Sequence, residues 1–175
     1  MRVAGIIRDS LVNGNGLRDV VFVQGCPHRC FQCQNQHTWD YNGGKEVNPY
    51  ELAKGFKDSP NDITISGGEP FSQWEAVVSF MYYIRLDNPN KRFWVYTGFQ
   101  YEDINWVVEN YMTSYVDVIV DGKYVEELKN PNCLYRGSSN QRLIDVKKSL
   151  KSGNTVIYDL DKSNKRMFYN RDVYI

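Results

Sequence analysis

Three cysteines stand within eight residues of one another, in the segment Gly25-Cys26-Pro27-His28-Arg29-Cys30-Phe31-Gln32-Cys33-Gln34-Asn35. Their spacing is C-x3-C-x2-C. Thiolates this close can converge on one inorganic centre, and cysteine thiolates are the usual ligands of iron–sulfur clusters. Zinc held by three Cys and one His is the competing reading, with His28 or His37 as the nitrogen ligand. A cube of four irons would find only three protein ligands here, leaving the fourth iron open to a small molecule. Cys133 could close that position, but a lone cysteine is more often a small buried residue. His28 and His37 otherwise read as polar loop residues. Phe31, Trp39 and Tyr41 read as cover for the loop.

A second segment able to do chemistry is Gly67-Gly68-Glu69-Pro70. Two glycines let backbone approach a ligand closely, and a carboxylate suits an ammonium group. Taken alone, the same four residues read as a strand-to-helix turn.

The elements that must position these segments alternate. Residues 20–24 form a short β-branched and aromatic run ending at Gly25. Asn48-Pro49 opens a helix through about Phe56, with Asn as cap and Pro in the first turn. Residues 62–66 read as a strand ending in Gly67-Gly68. A helix follows over residues 72–85, amphipathic through Trp74, Val77, Val78, Met81 and Ile84, and Asn88-Pro89-Asn90 breaks it. Residues 92–96 are strand-like, residues 101–111 helix-like, and residues 116–120 strand-like. This alternation predicts an α/β fold of βαβ units around a parallel sheet. A full eight-stranded barrel needs about 250 residues, so a partial, open βα barrel is expected. Loops at the C-terminal ends of such strands carry the chemistry, which would bring the cysteine loop and the Gly-Gly-Glu-Pro segment to one rim. Residues 154–160 and 165–169 read as a terminal hairpin or a loosely attached tail, which sets residues 1–150 apart as the main domain and residues 151–175 as an extension.

The chain has 175 residues, enough for one domain that needs no disulfides to hold its core. Lys+Arg and Asp+Glu both number 21. A net charge of zero argues against a broad grip on nucleic acid or on an anionic membrane surface. No apolar run is long enough for a membrane span, and the N-terminus lacks the apolar core of a signal peptide. Clustered thiols in a chain of this kind fit a reducing, cytoplasmic setting.

Together, the cysteine loop and the Gly-Gly-Glu-Pro segment resemble the radical S-adenosylmethionine enzymes. The match is narrower still. Asn13-Gly14-Asn15-Gly16-Leu17-Arg18, the run Val21-Phe22-Val23-Gln24-Gly25-Cys26, Trp94-Val95-Tyr96-Thr97-Gly98-Phe99 and Val118-Ile119-Val120-Asp121-Gly122-Lys123-Tyr124 are similar to the activating proteins of anaerobic ribonucleoside-triphosphate reductase. So is Arg136-Gly137-Ser138-Ser139-Asn140-Gln141-Arg142, which other radical enzymes generally lack. The similarity covers about residues 1–150. Many relatives have Asp-Gly-Pro-Gly in place of Asn13-Gly14-Asn15-Gly16, and the activases often have Gly where this chain has Gln32.

The resemblance implies a [4Fe-4S] cluster on Cys26, Cys30 and Cys33. It implies S-adenosylmethionine bound through Gln32, Cys33, Gln34, Gly67, Gly68, Glu69 and Pro70, with the Glu69 carboxylate on the methionyl ammonium. Reductive cleavage of that cofactor would give a 5′-deoxyadenosyl radical. The radical would take a hydrogen atom from a glycine Cα of the large catalytic subunit of the reductase. The implied partners are that subunit and a one-electron donor such as a flavodoxin-like protein. The segment over residues 136–142 reads either as a peptide-holding loop or as a polar loop packed back on the sheet. Arg8, Arg18 and Lys123 read as exposed charges. An activase for a different glycyl-radical enzyme and a non-catalytic zinc-binding interaction module are the alternatives.

Overall fold

The computed structural model describes residues 1–160. Seven strands form one sheet: β1 (Arg2–Ser10), β2 (Arg18–Val23), β3 (Lys45–Glu46), β4 (Asp62–Gly67), β5 (Phe93–Tyr96), β6 (Val116–Asp121) and β7 (Arg142–Asp145). Their order is β3-β1-β2-β4-β5-β6-β7. The four central strands β2, β4, β5 and β6 are parallel. They are linked by α1 (Pro49–Lys54), α2 (Trp74–Asp87) and α3 (Tyr101–Val107), as the alternation predicts. The expectation of a wholly parallel sheet needs correction. β1 runs antiparallel to β2, and β7 antiparallel to β6, so the sheet is mixed. The loop from β1 to β2 is too short for a crossover, which forces that pair antiparallel, whereas β6 reaches β7 through a longer stretch that includes the 3-10 turn Glu126–Leu128.

Local chemistry explains the helix boundaries. Asn48 accepts the Tyr50 N–H at 2.9 Å and Pro49 takes the first helical position, so α1 begins where the cap is. Residues 70–73 form a single 3-10 turn, started by Pro70, before α2 proper begins at Trp74. The end of α3 widens into a π turn over Val108–Met112. A fourth helix, α4 (Val146–Ser152), follows β7 directly, with Asp145 capping it by accepting the Lys148 N–H.

All four helices pack on one face of the sheet. Leu52, Phe56, Phe80, Met81, Ile104 and Val146 meet Val21, Ile63, Ile65, Phe93 and Ile119 there in one continuous core. Each of those large side chains contributes about 1.5–3 kcal/mol by leaving water. The opposite face carries a smaller cluster of Trp94, Val118, Val120 and Leu143, against which Tyr96, Tyr135 and Tyr158 pack. The first half of the expected terminal hairpin lies along β7. Tyr158 N–H donates to Leu143 O and Asp145 N–H to Val156 O. Residues 165–169, the second half, lie outside the described residues. No helix among the described residues is long and apolar enough to cross a membrane.

Candidate functional site

Each of the four parallel strands delivers a loop to the same end of the sheet. The cysteine loop follows β2, Gly68-Glu69 follows β4, Thr97-Gly98 follows β5, and Gly122 to Tyr124 follow β6. Together they wall a cavity of about 160 Å³. Cys26, Cys30 and Cys33 all line it, with Gln34, Trp39 and Gly67 among their neighbours. This is the position that α/β sheets reserve for ligands. The sequence-predicted meeting of the two motifs on one rim is therefore present.

The loop is pinned at its root. Gly25 N–H donates to Thr38 O at 2.7 Å, and Cys26 N–H to Trp39 O at 3.2 Å. The Gln24 amide reaches Asp40 O at 2.7 Å, tying down the chain that returns from the loop. Arg29 and Gln32 both take left-handed backbone conformations, with φ of 47° and 56°. That explains why glycine is at home at the place of Gln32.

The three thiols are half-buried and unpaired by disulfides. Burial pushes the Cys26 and Cys30 thiols up, an effect opposed by backbone N–H groups of His28 and Arg29 at Cys26 and of Tyr124 at Cys30. Asn35 N–H donates to Cys33 Sγ at 3.4 Å. Such N–H donors stabilise thiolates and are one of the means by which proteins tune iron–sulfur clusters. Among the described residues no three His, Cys, Asp or Glu side chains form a set that would hold one metal ion. Three thiols on one cavity are the donor type that iron–sulfur clusters take. Cys133 does not line the cavity. It sits in a neighbouring groove.

The Gly-Gly-Glu-Pro segment divides between the cavity and the neighbouring loops. Gly67 and Gly68 line the cavity, but Glu69 and Pro70 do not. The close approach that requires glycine at position 68 is to the chain itself. A Cβ there would lie 2.3 Å from Gly25 O. Gly68 N–H donates to Val23 O at 2.8 Å and Glu69 N–H to Gly25 O at 2.7 Å, stapling this segment to the root of the cysteine loop. The Glu69 carboxylate is fully buried and receives the Phe71 N–H, the Thr97 hydroxyl, the Gly98 N–H and His28 Nε2. Each of its two oxygens receives two of these donors, Oε1 from Phe71 and Thr97 and Oε2 from Gly98 and His28. Gln34 lines the cavity, whereas Gln32 is exposed on the outer side of the loop. Trp39 lines the cavity too, Phe31 is 71% exposed, and the Tyr41 hydroxyl pairs with that of Ser72.

One further expectation changes. Arg18 is not an exposed charge; it is fully buried. Its guanidinium donates to Thr64 Oγ1 at 2.7 Å, Ile63 O at 2.6 Å and Asn15 O at 3.1 Å, and burial pulls its pKa down to about 10. Thr64 in turn donates to Asn13 O, so this arginine shapes the loop that places Asn13 on the cavity wall. Arg8 pairs with buried Asp19 at 2.5 Å, while Lys123 is exposed. The segment over residues 136–142 packs back on the sheet. Gln141 accepts the Gly137 N–H and donates to Gly122 O, Asn140 donates to Lys123 O, and Arg142 pairs with Asp121 and Glu102. Gly137 and Gln141 still reach the cavity. Sequence reasoning did not single out Asn13, Thr97, Tyr96 or Tyr124 as cavity residues; their positions after strand ends were the available signal.

A mixed sheet helical on one face, with three thiols on a cavity at its C-terminal rim, defines a cluster-binding α/β protein. In agreement, the family model of a 4Fe-4S single cluster domain matches residues 12–144. The anaerobic ribonucleoside-triphosphate reductase-activating protein of Haemophilus influenzae is 32% identical over 139 residues, covering 75% of this chain and 89% of the relative. That of Escherichia coli K12 is 34% identical, covering 75% and 90%. That of Enterobacteria phage T4 is 39% identical over 138 residues, covering 75% and 86%. The chain belongs to the family of anaerobic ribonucleoside-triphosphate reductase-activating proteins.

Proposed function

We propose that this chain activates an anaerobic ribonucleoside-triphosphate reductase by generating a glycyl radical on its large catalytic subunit. It is a radical S-adenosylmethionine oxidoreductase with a [4Fe-4S] cluster. The observation that carries the reading is the placement of Cys26, Cys30 and Cys33 on one cavity, with the Asn35 N–H donating to Cys33 Sγ and Cys133 outside it. Helices confined to one face of the sheet support reading the fold as a partial, open βα barrel of the radical S-adenosylmethionine type.

When bound, the cluster and S-adenosylmethionine supply a one-electron cleavage that yields methionine and a 5′-deoxyadenosyl radical. The hard chemistry belongs to the cofactors, and the chain positions them and excludes side reactions. Cys26, Cys30 and Cys33 are the cluster ligands. Backbone at Gly67 and Gly68 offers carbonyls to the methionyl ammonium, and Cys33 and Gln34 flank the cofactor. Gln32 shapes the loop, and Glu69 and Pro70 hold the segment that presents the two glycines. A second hollow of about 350 Å³ shares Asn13, Gln34, Tyr96 and Gly137 with the cavity, and exposed Leu11, Val12 and Leu134 form part of its wall. It gives a segment of the large subunit a route to the reacting centre. The bound cofactors would there supply removal of a hydrogen atom from a glycine Cα of that segment. A flavodoxin-like protein is the expected electron donor, and a reducing cytoplasm is the expected setting. Neither nucleic acid nor membrane is called for by a chain of zero net charge.

The test is anaerobic incubation with the purified reductase, dithionite and S-adenosylmethionine. A glycyl doublet in the EPR spectrum of the large subunit is expected, and its absence with a fully loaded cluster overturns the assignment.

A further inference from the structure

The stretch between the first two cysteines is Pro27, His28 and Arg29. Pro27 and Arg29 face solvent, and His28 alone turns inward, its side chain 7% exposed. Its ring stands edge-on to Phe99, with centroids 4.5 Å apart. It also lies over Gly98, where a Cβ would come within 2.3 Å of His28 Cδ2. Its Nε2 is 2.8 Å from Glu69 Oε2. A carboxylate only accepts hydrogen bonds, so Nε2 carries the proton.

Glu69 thus gathers three separate strand-end loops. Phe71 N–H comes from its own segment after β4, Thr97 Oγ1 and Gly98 N–H come from the loop after β5, and His28 comes from the cysteine loop after β2. The backbone–backbone bonds of the cysteine loop lie at its root or within itself. His28 fastens the interior of the loop to the wall after β4 and β5. A buried carboxylate is costly unless every acceptor is supplied, so the bond is strongly held in place.

We propose that His28 is a positioning residue: through Glu69 it sets the cysteine loop at a fixed distance and angle from the Gly-Gly-Glu-Pro wall, and so sets the cluster against S-adenosylmethionine. This rests on the proposed function for what is positioned, but the latch itself is a property of the apoprotein and is testable there.

In the apoprotein, His28→Ala should raise the rate at which iodoacetamide alkylates Cys26 and Cys30, and should speed hydrogen exchange at the Gly98 amide. Thr97→Val also removes a donor from Glu69 but does not touch the cysteine loop, so it should leave the alkylation rates unchanged. With the cluster loaded, His28→Ala should weaken S-adenosylmethionine binding by about tenfold, the scale seen when partners outside the ligand shell are removed. Binding is read from the change that S-adenosylmethionine causes in the EPR signal of the reduced cluster. His28→Gln, whose amide N–H can reach Glu69, should recover most of both effects. Equal alkylation in wild type and His28→Ala overturns the proposal. So does equal acceleration in Thr97→Val, which would mark general loosening. Unchanged cofactor affinity in a folded His28→Ala variant overturns the positioning role even if activation of the reductase proceeds. A wild type that never forms a glycyl radical instead overturns the functional assignment and leaves the apoprotein latch standing.

Discussion

Gly68→Ala separates two reasons for a glycine beside a cofactor cavity. If the residue were small only to admit a ligand, the apoprotein would not notice the added methyl. The structure says otherwise. The new Cβ would lie 2.3 Å from Gly25 O and 2.9 Å from its carbonyl carbon, and both are backbone atoms that cannot swing away. Relief requires the end of β4 to move off the end of β2, across the 2.8 Å bond from Gly68 N–H to Val23 O and the 2.7 Å bond from Glu69 N–H to Gly25 O. Overpacking of this kind costs about 1–3 kcal/mol, and two weakened hydrogen bonds add about 1 kcal/mol each. The sum, about 3–5 kcal/mol, is a large share of a typical stability of about 5–15 kcal/mol. At about 2–4 °C per kcal/mol for a domain of this size, the apoprotein should melt roughly 10 °C lower. Circular dichroism on cluster-free protein measures this. Gly5→Ala is the control, because nothing lies within 4 Å of a Cβ there, and its melting temperature should not fall. A Gly68→Ala apoprotein melting within about 2 °C of wild type refutes the reasoning and returns this glycine to a purely ligand-facing role.

Cys26→Ala, Cys30→Ala and Cys33→Ala should each abolish cluster binding on anaerobic reconstitution, and Cys133→Ala should not; iron and sulfide analysis decides. Gln32 holds a φ of 56°, which costs an L-residue about 1–2 kcal/mol relative to glycine, so Gln32→Gly should raise stability in urea melts by up to about 1 kcal/mol. Arg18→Met takes the guanidinium donors from Thr64 Oγ1, which keeps its own bond to Asn13 O, and from the carbonyls of Ile63 and Asn15 in a buried site, and a loss of about 3 kcal/mol is expected in the same melts. Hydrogen bonds from Arg142 and Thr155 hold Glu102 down to about 2, against an ordinary value of 4.5. The folded value lies below the unfolded one, so its contribution is complete above about pH 4.5 and is lost as the pH falls toward 2. Glu102→Gln should flatten that part of the acid-denaturation curve by less than about 1 kcal/mol, because the carboxylate is largely exposed; an unaltered slope would count against the pairing.

The parallel centre of the sheet was legible because its strands are short apolar runs closed by glycine, and because helix caps and breakers lie between them. The edges were not. β1 has only Val3 and Ser10 buried among nine residues, so it shows no alternation, and Ile6 and Ile7 are both exposed. β7 is four residues long and is followed immediately by α4, which leaves no loop signal between them. The cysteine loop was legible from ligand spacing. Arg18 was not, because burying a guanidinium depends on carbonyls and a hydroxyl supplied by residues 45 or more positions away. His28 read as a polar loop residue for the same reason: its partner is 41 residues distant.

Glu69 shows that a residue read for ligand binding can also carry the packing of its neighbours. A short polar segment after a strand has two audiences, the ligand in front of it and the neighbouring strand-end loops beside it. The glycines and the carboxylate here address the neighbours: Gly68 admits the Gly25 carbonyl, and Glu69 binds donors from two other loops. What this segment gives the cavity wall is then Gly67 and Gly68, with Gly68 held by its N–H bond to Val23 O. A stretch of wall without side chains loses no rotamer freedom when a ligand binds against it. Side chains that look like ligand contacts in the sequence can therefore act one layer back, and the strength of the site depends on how completely that layer is satisfied.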